Sequence, residues 1–432
     1  MNDKILEIAQ KISLAGGKMY LVGGAVRDAI MGRTVHDEDY CVVGISFEEF
    51  VQMFPYANIR GKDFPVFDMN GCEIALARTE RKIAVGHRGF EIKTDKNITI
   101  EQDLKRRDIT INAIAKDVLT GEIVDPFNGE QDIKNKIIRA TSESFKEDPL
   151  RVYRVARFSA MLDFTVEPNT IKMMNELKNE LATISKERVF QEFRKVLKTD
   201  KPSNFFNTLR KADVLQIHFK EIDDLIGAKQ PVKYHPEGDS YNHTMEVLDR
   251  ACAITENLEI RYSALVHDLG KGITSKEMYP HHYGHDKNGV EVVGRFSNRI
   301  GVPNSWKKCG KTSAKEHMLG GIFWQMTPAK QVDFLERVNK SILGLEGLQI
   351  VVNADKNGRD VQPFITLKKP ILDEINGEYV KNKYGIEEGI QLKEKLREER
   401  IRVLKRLIWA QWPCCQRDVL NGNSHWIKNN IW

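Results

Sequence analysis

Several features that would place this chain among secreted, membrane or zinc-ribbon proteins are missing. Its six cysteines, at 41, 72, 252, 309, 414 and 415, include no CxxC pair, which argues against a zinc ribbon and against a disulfide framework. No apolar run approaches the roughly 18 residues needed to span a bilayer, and 29% of the residues are charged. The N-terminal stretch MNDKILEIAQKI has amphipathic spacing without a signal-peptide core, so a capping helix and a soluble, cytoplasmic protein with no membrane contact are expected. There is no internal repeat and no low-complexity tract. A net charge of +5 over 432 residues permits a polyanionic partner without requiring one.

What is present begins with Leu21-Val22-Gly23-Gly24-Ala25-Val26-Arg27-Asp28, followed by Asp37-Glu38-Asp39 and the apolar run Cys41-Val42-Val43. Side chains alternate faces along a strand, so Asp37 and Asp39 are expected to project to one side and to hold Mg²⁺. Gly23 and Gly24 let backbone N–H groups approach a triphosphate, and Arg27 places a cation beside it. Short β-type runs (20–22, 40–43, 74–77) mix with helical patterns over the first 140 residues, whereas helical spacing dominates beyond Ser142. The expected fold is therefore α+β: a mixed α/β head followed by a largely helical remainder. The loop-rich interval 228–242 reads as a linker.

The spacing GGAVRD…HDEDYCVVG resembles the nucleotidyltransferase head of the DNA polymerase β superfamily. With DFPVF (63–67), EIALARTERK (73–82), DLKRRDITINAIA (103–115), DPFNG (125–129), EDPLRVYRVARF (147–158) and SKERVFQEF (185–193) in the same order, the chain resembles the class II tRNA nucleotidyltransferases, or CCA-adding enzymes, and their poly(A) polymerase relatives. LVHDLGKG (265–272) narrows the likeness to the long bacterial form with a C-terminal HD domain. The resemblance runs from about residue 18 to about residue 410.

The likeness implies template-independent addition of CCA to the tRNA 3′ end from CTP and ATP, with Asp37, Asp39 and Glu73 catalytic and the two aspartates holding Mg²⁺. Glu73 alternates with the small residues Ala75 and Ala77, which leaves room for a metal and a phosphate. Gly24, Arg27 and Arg107 would bind the triphosphate. Asp148 and Pro149 read as an N-cap and first helical residue, and Arg151, Arg154 and Arg157 recur every third residue as one basic stripe. The family counterpart of that segment implies instead that Asp148 and Arg151 read the base edge, with Arg154 and Arg157 nearer phosphate or ribose. His267-Asp268 closes a helical run and, with His243 and Asp355, follows the H…HD…D order of HD phosphohydrolases. These four would hold a divalent transition metal, Ni²⁺ among the candidates, for phosphatase, 2′-nucleotidase and 2′,3′-cyclic phosphodiesterase activity. His281, His282, His285 and His317 are further histidines that would complete such a site or bind phosphate.

The reading divides the chain into a head (1–140), a neck and body (141–227), an HD domain (228–370) and a basic helical tail (371–432), in a monomer or homodimer. In the tail, nine Lys or Arg stand against four Asp or Glu from 391 on. Trp409, Trp412 and Trp426 would stack on RNA there, or the segment is a plain charged helix with buried tryptophans. Two alternatives differ in class: a terminal adenylyltransferase resembling poly(A) polymerase, and a non-catalytic RNA-binding or HD signalling protein.

Overall fold

The computed structural model describes residues 3–35, 37–61, 65–69, 71–82, 90–233, 236–356 and 362–411, and the side chains of all of these except 80–82, 90–94 and 409–411. Asp63 and Phe64 of the DFPVF segment, Trp412, Trp426, Cys414 and Cys415 lie outside the described residues, as does the Trp409 side chain. The chain forms two compact units, 1–223 with 299–301, and 224–298 with 302–432.

The first unit opens with α1 (Asp3–Leu14), which buries Ile5, Ile8, Ala9 and Ile12 at helical spacing. Then come β1 (Lys18–Val22), α2 (Gly24–Ile30), β2 (Asp39–Val43), α3 (Phe47–Met53), β3 (Asn58–Arg60), β4 (Val66–Met69), β5 (Cys72–Leu76), the hairpin β6 (Arg78–Lys82) and β7 (Phe90–Thr94), α4 (Ile100–Lys105), β8 (Ala115–Asp117) and β9 (Ile123–Val124). Seven strands form one sheet in the order β3-β4-β5-β2-β1-β8-β9. The β2–β5 pair is parallel, with Asp39 opposite Glu73; its other pairs are antiparallel. Capping boxes at Ser46 and Thr99 fix the starts of α3 and α4. Tyr20, Val22, Cys41, Leu104 and Ala115 form a core beneath the sheet.

After α5 (Gly129–Asn135), the two-residue strands β10 (Ile137–Ile138) and β11 (Thr165–Val166) pair around α6 (Leu150–Leu162). Then follow α7 (Pro168–Glu176), α8 (Lys178–Leu181), α9 (Lys186–Val196), α10 (Ser203–Lys211) and α11 (Leu215–Asp223). α6 packs on α9 and α10 through Tyr153, Phe193, Phe205, Phe206 and Phe219, whose rings meet edge-on or tilted.

The second unit is helical: α12 (Ser240–Ile254), α13 (Leu258–Val266), α14 (His285–Arg299, its last residue belonging to the first unit), α15 (Asn304–Gly321), α16 (Pro328–Asn339), α17 (Gly344–Asp355), α18 (Gly377–Tyr384) and α19 (Ile390–Gln411). The apolar stretch after His317 lies in its core, where Phe323 and Trp324 pack with Phe334 and Phe364. α19 belongs to this core through Leu404, and its cations are largely paired, Arg397 with Asp333, Arg400 with Glu336 and Arg402 with Glu399.

Candidate functional site

Asp39 opens β2, and its strand partner Glu73 lies on the neighbouring parallel strand. Asp37 lies in the segment just before β2, so strand alternation begins at Asp39 and Asp37 reaches the same cavity from a loop. All three carboxylates are exposed. Partial burial and the nearby carboxylates of Glu73 and Asp37 push Asp39 above the ordinary carboxylate range, and Arg107 opposes them. Hard oxygen donors under mutual repulsion fit a hard divalent cation, which relieves that repulsion.

Asp37 and Asp39 line a cavity of about 900 Å³ together with Gly24, Arg27, Arg107, Asp148, Arg151, Arg154 and Arg157. Glu73 is not part of its wall. At Gly23 φ is +71°, and a Cβ there would stand 2.9 Å from Arg107 Nη1, so glycine admits the guanidinium. Arg27 is buried; it donates from Nη1 to Asn112 Oδ1 (2.7 Å) and from Nε to Asp28 Oδ1 (2.9 Å). Arg107 donates from Nη2 to Asp103 (3.2 Å), while its buried Nε makes no hydrogen bond. Burial pushes Asp103 up, but Arg106 and Arg107 outweigh it and hold the carboxyl below its usual range.

The arginines of α6 do not form a solvated stripe. Arg157 donates to Glu192 on α9 at 2.6 Å and stands 4.2 Å from the Phe158 ring centroid. Arg154 donates to Asp108 at 2.7 Å. Arg151 donates to the backbone carbonyls of Ser144 (2.5 Å) and Arg106 (2.7 Å), which ties α6 to the head. The α-helical hydrogen bonding of α6 begins at Leu150, yet Pro149 already has helical angles (φ −61°, ψ −21°) and Asp148 is extended (φ −120°, ψ 110°). The Asp148 carboxylate accepts the Leu150 N–H at 3.0 Å and takes Arg188 of α9 at 3.2 Å.

Arg188 and Glu192 escaped the residue-by-residue reading, and Asp108, which reads in sequence as part of a surface cluster with Arg106 and Arg107, is buried. Glu192 had a signal: it lies on the same face of α9 as Val189, Phe193 and Val196, all buried, and a carboxylate on an apolar stripe needs a cation. Arg188 had none, and the partner of Asp108 was not legible, because the pairs are 40 and 46 residues apart.

In the second unit, His243 (α12), His267 at the end of α13, Asp268 and Asp355 at the end of α17 converge. His243 Nε2 is 3.0 Å from Asp355 Oδ1 and His267 Nε2 is 3.2 Å from Asp268 Oδ2. His267 Nδ1 donates to the Ala264 carbonyl at 2.7 Å, which directs Nε2 at the carboxylates. Burial lowers His243, but Asp355 and Glu237, the latter 2.5 Å from Nδ1, raise it to about 9. Burial pushes Asp268 and Asp355 up, and the facing imidazoles, with Lys271 beside Asp268, outweigh it and hold both well below the carboxylate range. His267 Nε2, Asp268 Oδ1 and His285 Nε2 are buried without a hydrogen bond, and imidazole with carboxylate is a donor set suited to a divalent transition metal. Of the further histidines, His285 and His317 reach Asp268. His282 meets the Lys229 carbonyl, and His281 is exposed. Among the described residues no helix is long and apolar enough to cross a membrane.

Three family models match the chain: the poly A polymerase head domain over residues 19–139, the "Probable RNA and SrmB-binding site of polymerase A" over 163–226, and the HD domain over 240–324. The multifunctional CCA protein of Pseudoalteromonas atlantica is 39% identical over 405 residues, covering 90% of this chain and 98% of its own. That of Shewanella frigidimarina is 46% identical over 307 residues, 69% of this chain and 73% of its own. The solved structure of the Thermotoga maritima CCA-adding enzyme complexed with tRNA superposes with a TM-score of 0.64 at 20% identity over 95% of this chain and 97% of that one. A CCA-adding enzyme with CTP gives the same score and identity over 94% and 91%.

Proposed function

Since the chain belongs to the multifunctional CCA protein family of tRNA nucleotidyltransferases, we propose that it builds and repairs the 3′-terminal CCA of tRNA from CTP and ATP without a nucleic-acid template. The observation that carries this reading is the joining, in one arginine-lined cavity, of Asp37 and Asp39 with Asp148 and Arg151. One pair is suited to phosphoryl chemistry and the other to a base edge. In this reading Asp37, Asp39 and Glu73 would hold Mg²⁺, which when bound would supply Lewis-acid activation of the tRNA 3′-hydroxyl and neutralise charge on the departing pyrophosphate. Arg27, fixed by Asn112 and Asp28, and Arg107, which projects past Gly23, bind and orient the triphosphate. Asp148 and Arg151 present acceptor and donor to cytosine or adenine, and mispaired polar groups disfavour uracil and guanine. Arg188, which holds Asp148, positions that acceptor. Arg154 and Arg157 stand on the same wall, toward phosphate or ribose.

The second unit acts as a phosphohydrolase on phosphomonoesters and 2′,3′-cyclic phosphates, with His243, His267, Asp268 and Asp355 holding a divalent transition metal, Ni²⁺ among the candidates. In this division 1–140 is the catalytic head, 141–227 carries the base-selecting residues, 228–370 is the hydrolase and 371–432 the tail. The deciding experiment is incubation with tRNA lacking CCA and each nucleoside triphosphate singly and together, followed by sequencing of the 3′ ends. CCA from CTP plus ATP is expected. Runs of A alone mark a poly(A) polymerase, and no extension marks an idle protein.

A further inference from the structure

Asp37 stands outside the sheet ladder, and yet it faces the head cavity as Asp39 does. We propose that a clasp between Glu38 and Tyr40, on the far side of the chain from the cavity, holds Asp37 there, which makes Glu38 and Tyr40 positioning residues for the metal that the two aspartates would share. This rests on the metal-holding reading of Asp37 and Asp39 and deepens it.

On both sides of β2 the pairing begins at the same residue, with Asp39 opposite Val22 of β1 and Glu73 of β5. Asp37 and Glu38 have no regular secondary structure, so the alternation that aims Asp39 does not by itself aim Asp37. The cavity wall nevertheless contains Asp37 and Asp39, and neither Glu38 nor Tyr40. The strand's phase therefore runs on one step beyond the ladder, and a contact outside the ladder has to carry it. Without one, the loop would have to be ordered at the moment of metal binding, at a cost in conformational entropy.

Tyr40 supplies that contact. It sits in the sheet opposite Leu21 and Ile74, is 2% exposed, and donates from its hydroxyl to Glu38 Oε2 at 2.7 Å. Because Tyr40 alternates with Asp39, its side chain lies on the face away from the carboxylates, and the bond draws the half-buried Glu38 to that same face. With residues 38 and 40 tied together there, the residues in the opposite phase, Asp37 and Asp39, are left directed into the cavity. The clasp is firm at both ends: a hydrogen bond to a carboxylate is among the stronger kinds, and a buried phenol that lost its acceptor would be costly. Outer partners of metal-ligating carboxylates work in this way, fixing the ligand without touching the ion.

The test reads CTP binding to the full-length chain by calorimetry, once with Mg²⁺ and once in EDTA, so that the metal-dependent gain in affinity is separated from the contacts of the arginines. Tyr40→Phe, which removes only the hydroxyl, should cut that gain by roughly ten-fold, the low end of the range for outer partners of metal ligands, and leave the affinity in EDTA unchanged. Glu38→Ala should match it, and Glu38→Gln, whose amide oxygen still accepts the bond, should retain more of the gain than Glu38→Ala. In an Asp37→Ala background Tyr40→Phe should have no further effect on the gain, while its effect on the melting temperature stays the same in both backgrounds. A parental gain in Tyr40→Phe or in Glu38→Ala, or a loss of the same size when Tyr40→Phe is added to Asp37→Ala, overturns the clasp, and the phenol then serves the fold alone. An unreduced gain in Asp37→Ala itself overturns the metal-holding reading of the head and the clasp with it. If Tyr40→Phe does not fold, the comparison of Glu38→Ala with Glu38→Gln, each alone and with Asp37→Ala, decides.

Discussion

The carboxylates of the head and the imidazoles of the second unit differ in burial and in donor set. Asp37, Asp39 and Glu73 are exposed and offer oxygen only, and the two aspartates line a cavity walled by arginines. His243, His267 and Asp268 are almost fully buried and combine nitrogen with oxygen. On the proposed reading, an ion at the exposed oxygen site would arrive and leave with the triphosphate, and one at the buried mixed site would stay between turnovers. On that reading the two chemistries would use different metals and fail separately.

The largest effect is expected from breaking the head alone. Asp39→Ala removes a direct ligand, so nucleotide incorporation into tRNA lacking CCA should fall by more than the ~10–100-fold typical of outer-shell partners, while hydrolysis of a phosphomonoester by the same preparation stays unchanged. Incorporation within ten-fold of the unaltered chain removes Asp39 from the metal site. In the converse variant, His267→Ala, hydrolysis should be lost and CCA addition kept. Loss of both activities in a chain that remains folded by circular dichroism ends the idea of independent sites. Chelation sharpens the difference in exchange: after brief EDTA treatment and gel filtration, Mg²⁺ alone should restore nucleotide addition, and hydrolysis should need a transition metal. Recovery of both with Mg²⁺ contradicts the contrast.

A smaller effect concerns base choice. A hydrogen bond to a charged group is worth about 1.5–3 kcal/mol, so Arg151→Ala should lower the ratio of CTP to UTP incorporation about ten-fold to a hundred-fold or more. Arg151 also ties down the Ser144 and Arg106 carbonyls, so Arg188→Ala is the cleaner probe: it frees Asp148 without touching those carbonyls, and its selectivity loss should be several-fold. Asp148→Asn, which still caps α6, separates capping from reading. Unchanged selectivity in Asp148→Asn shows that the carboxylate is a cap and nothing more.

The smallest effect is on acid stability. In the first unit, burial and Arg299 push His218 down to about 4 from 6.5, and its Nδ1 pairs with the Tyr153 hydroxyl at 2.6 Å. A depressed folded-state value means the neutral ring contributes stability above pH 6.5, which is lost as pH falls from 6.5 toward 4. In the second unit burial raises Glu399, but Arg402, Tyr384 and Lys383 outweigh it and hold it at about 2, so its contribution persists to pH 4.5 and is lost between 4.5 and 2. His218→Gln should therefore flatten the decline of the melting temperature between pH 6.5 and 4 by a few degrees, about 2–4 °C per kcal/mol. An identical slope in His218→Gln and the parent chain counts against it.

Much of this was legible in sequence because the signals are local. Gly23-Gly24, Asp37 to Asp39, and His267-Asp268 each announce a turn or a ligand pair within a few residues, and the strand at Ile74 and the helix from Pro149 follow from composition and capping. The sites' interior wiring was not legible, because it is long-range. Arg157 reads as part of an exposed stripe until Glu192 is folded against it, and His285 and His317 are two histidines among several until α14 and α15 bring them to Asp268. The edge strand β3, short and exposed, and its neighbour β4, short and only partly buried, also left no clear mark.

The parallel pairing of β2 with β5 has a consequence for how the enzyme comes into being. Side chains in a strand alternate with period two, so slippage of β5 by one residue would turn Glu73 to the opposite face and bring Ile74 beside Asp39. Parallel neighbours cannot be joined by a tight hairpin, and this register closes a long loop that includes α3, β3 and β4. Glu73 therefore meets Asp39 only when this long-range register is correct. A nascent head that misaligns there would be compact and yet chemically inert, with Ile74 and Leu76, two of its most buried side chains, turned to water. The apolar alternation of β5 is what proofreads the active site.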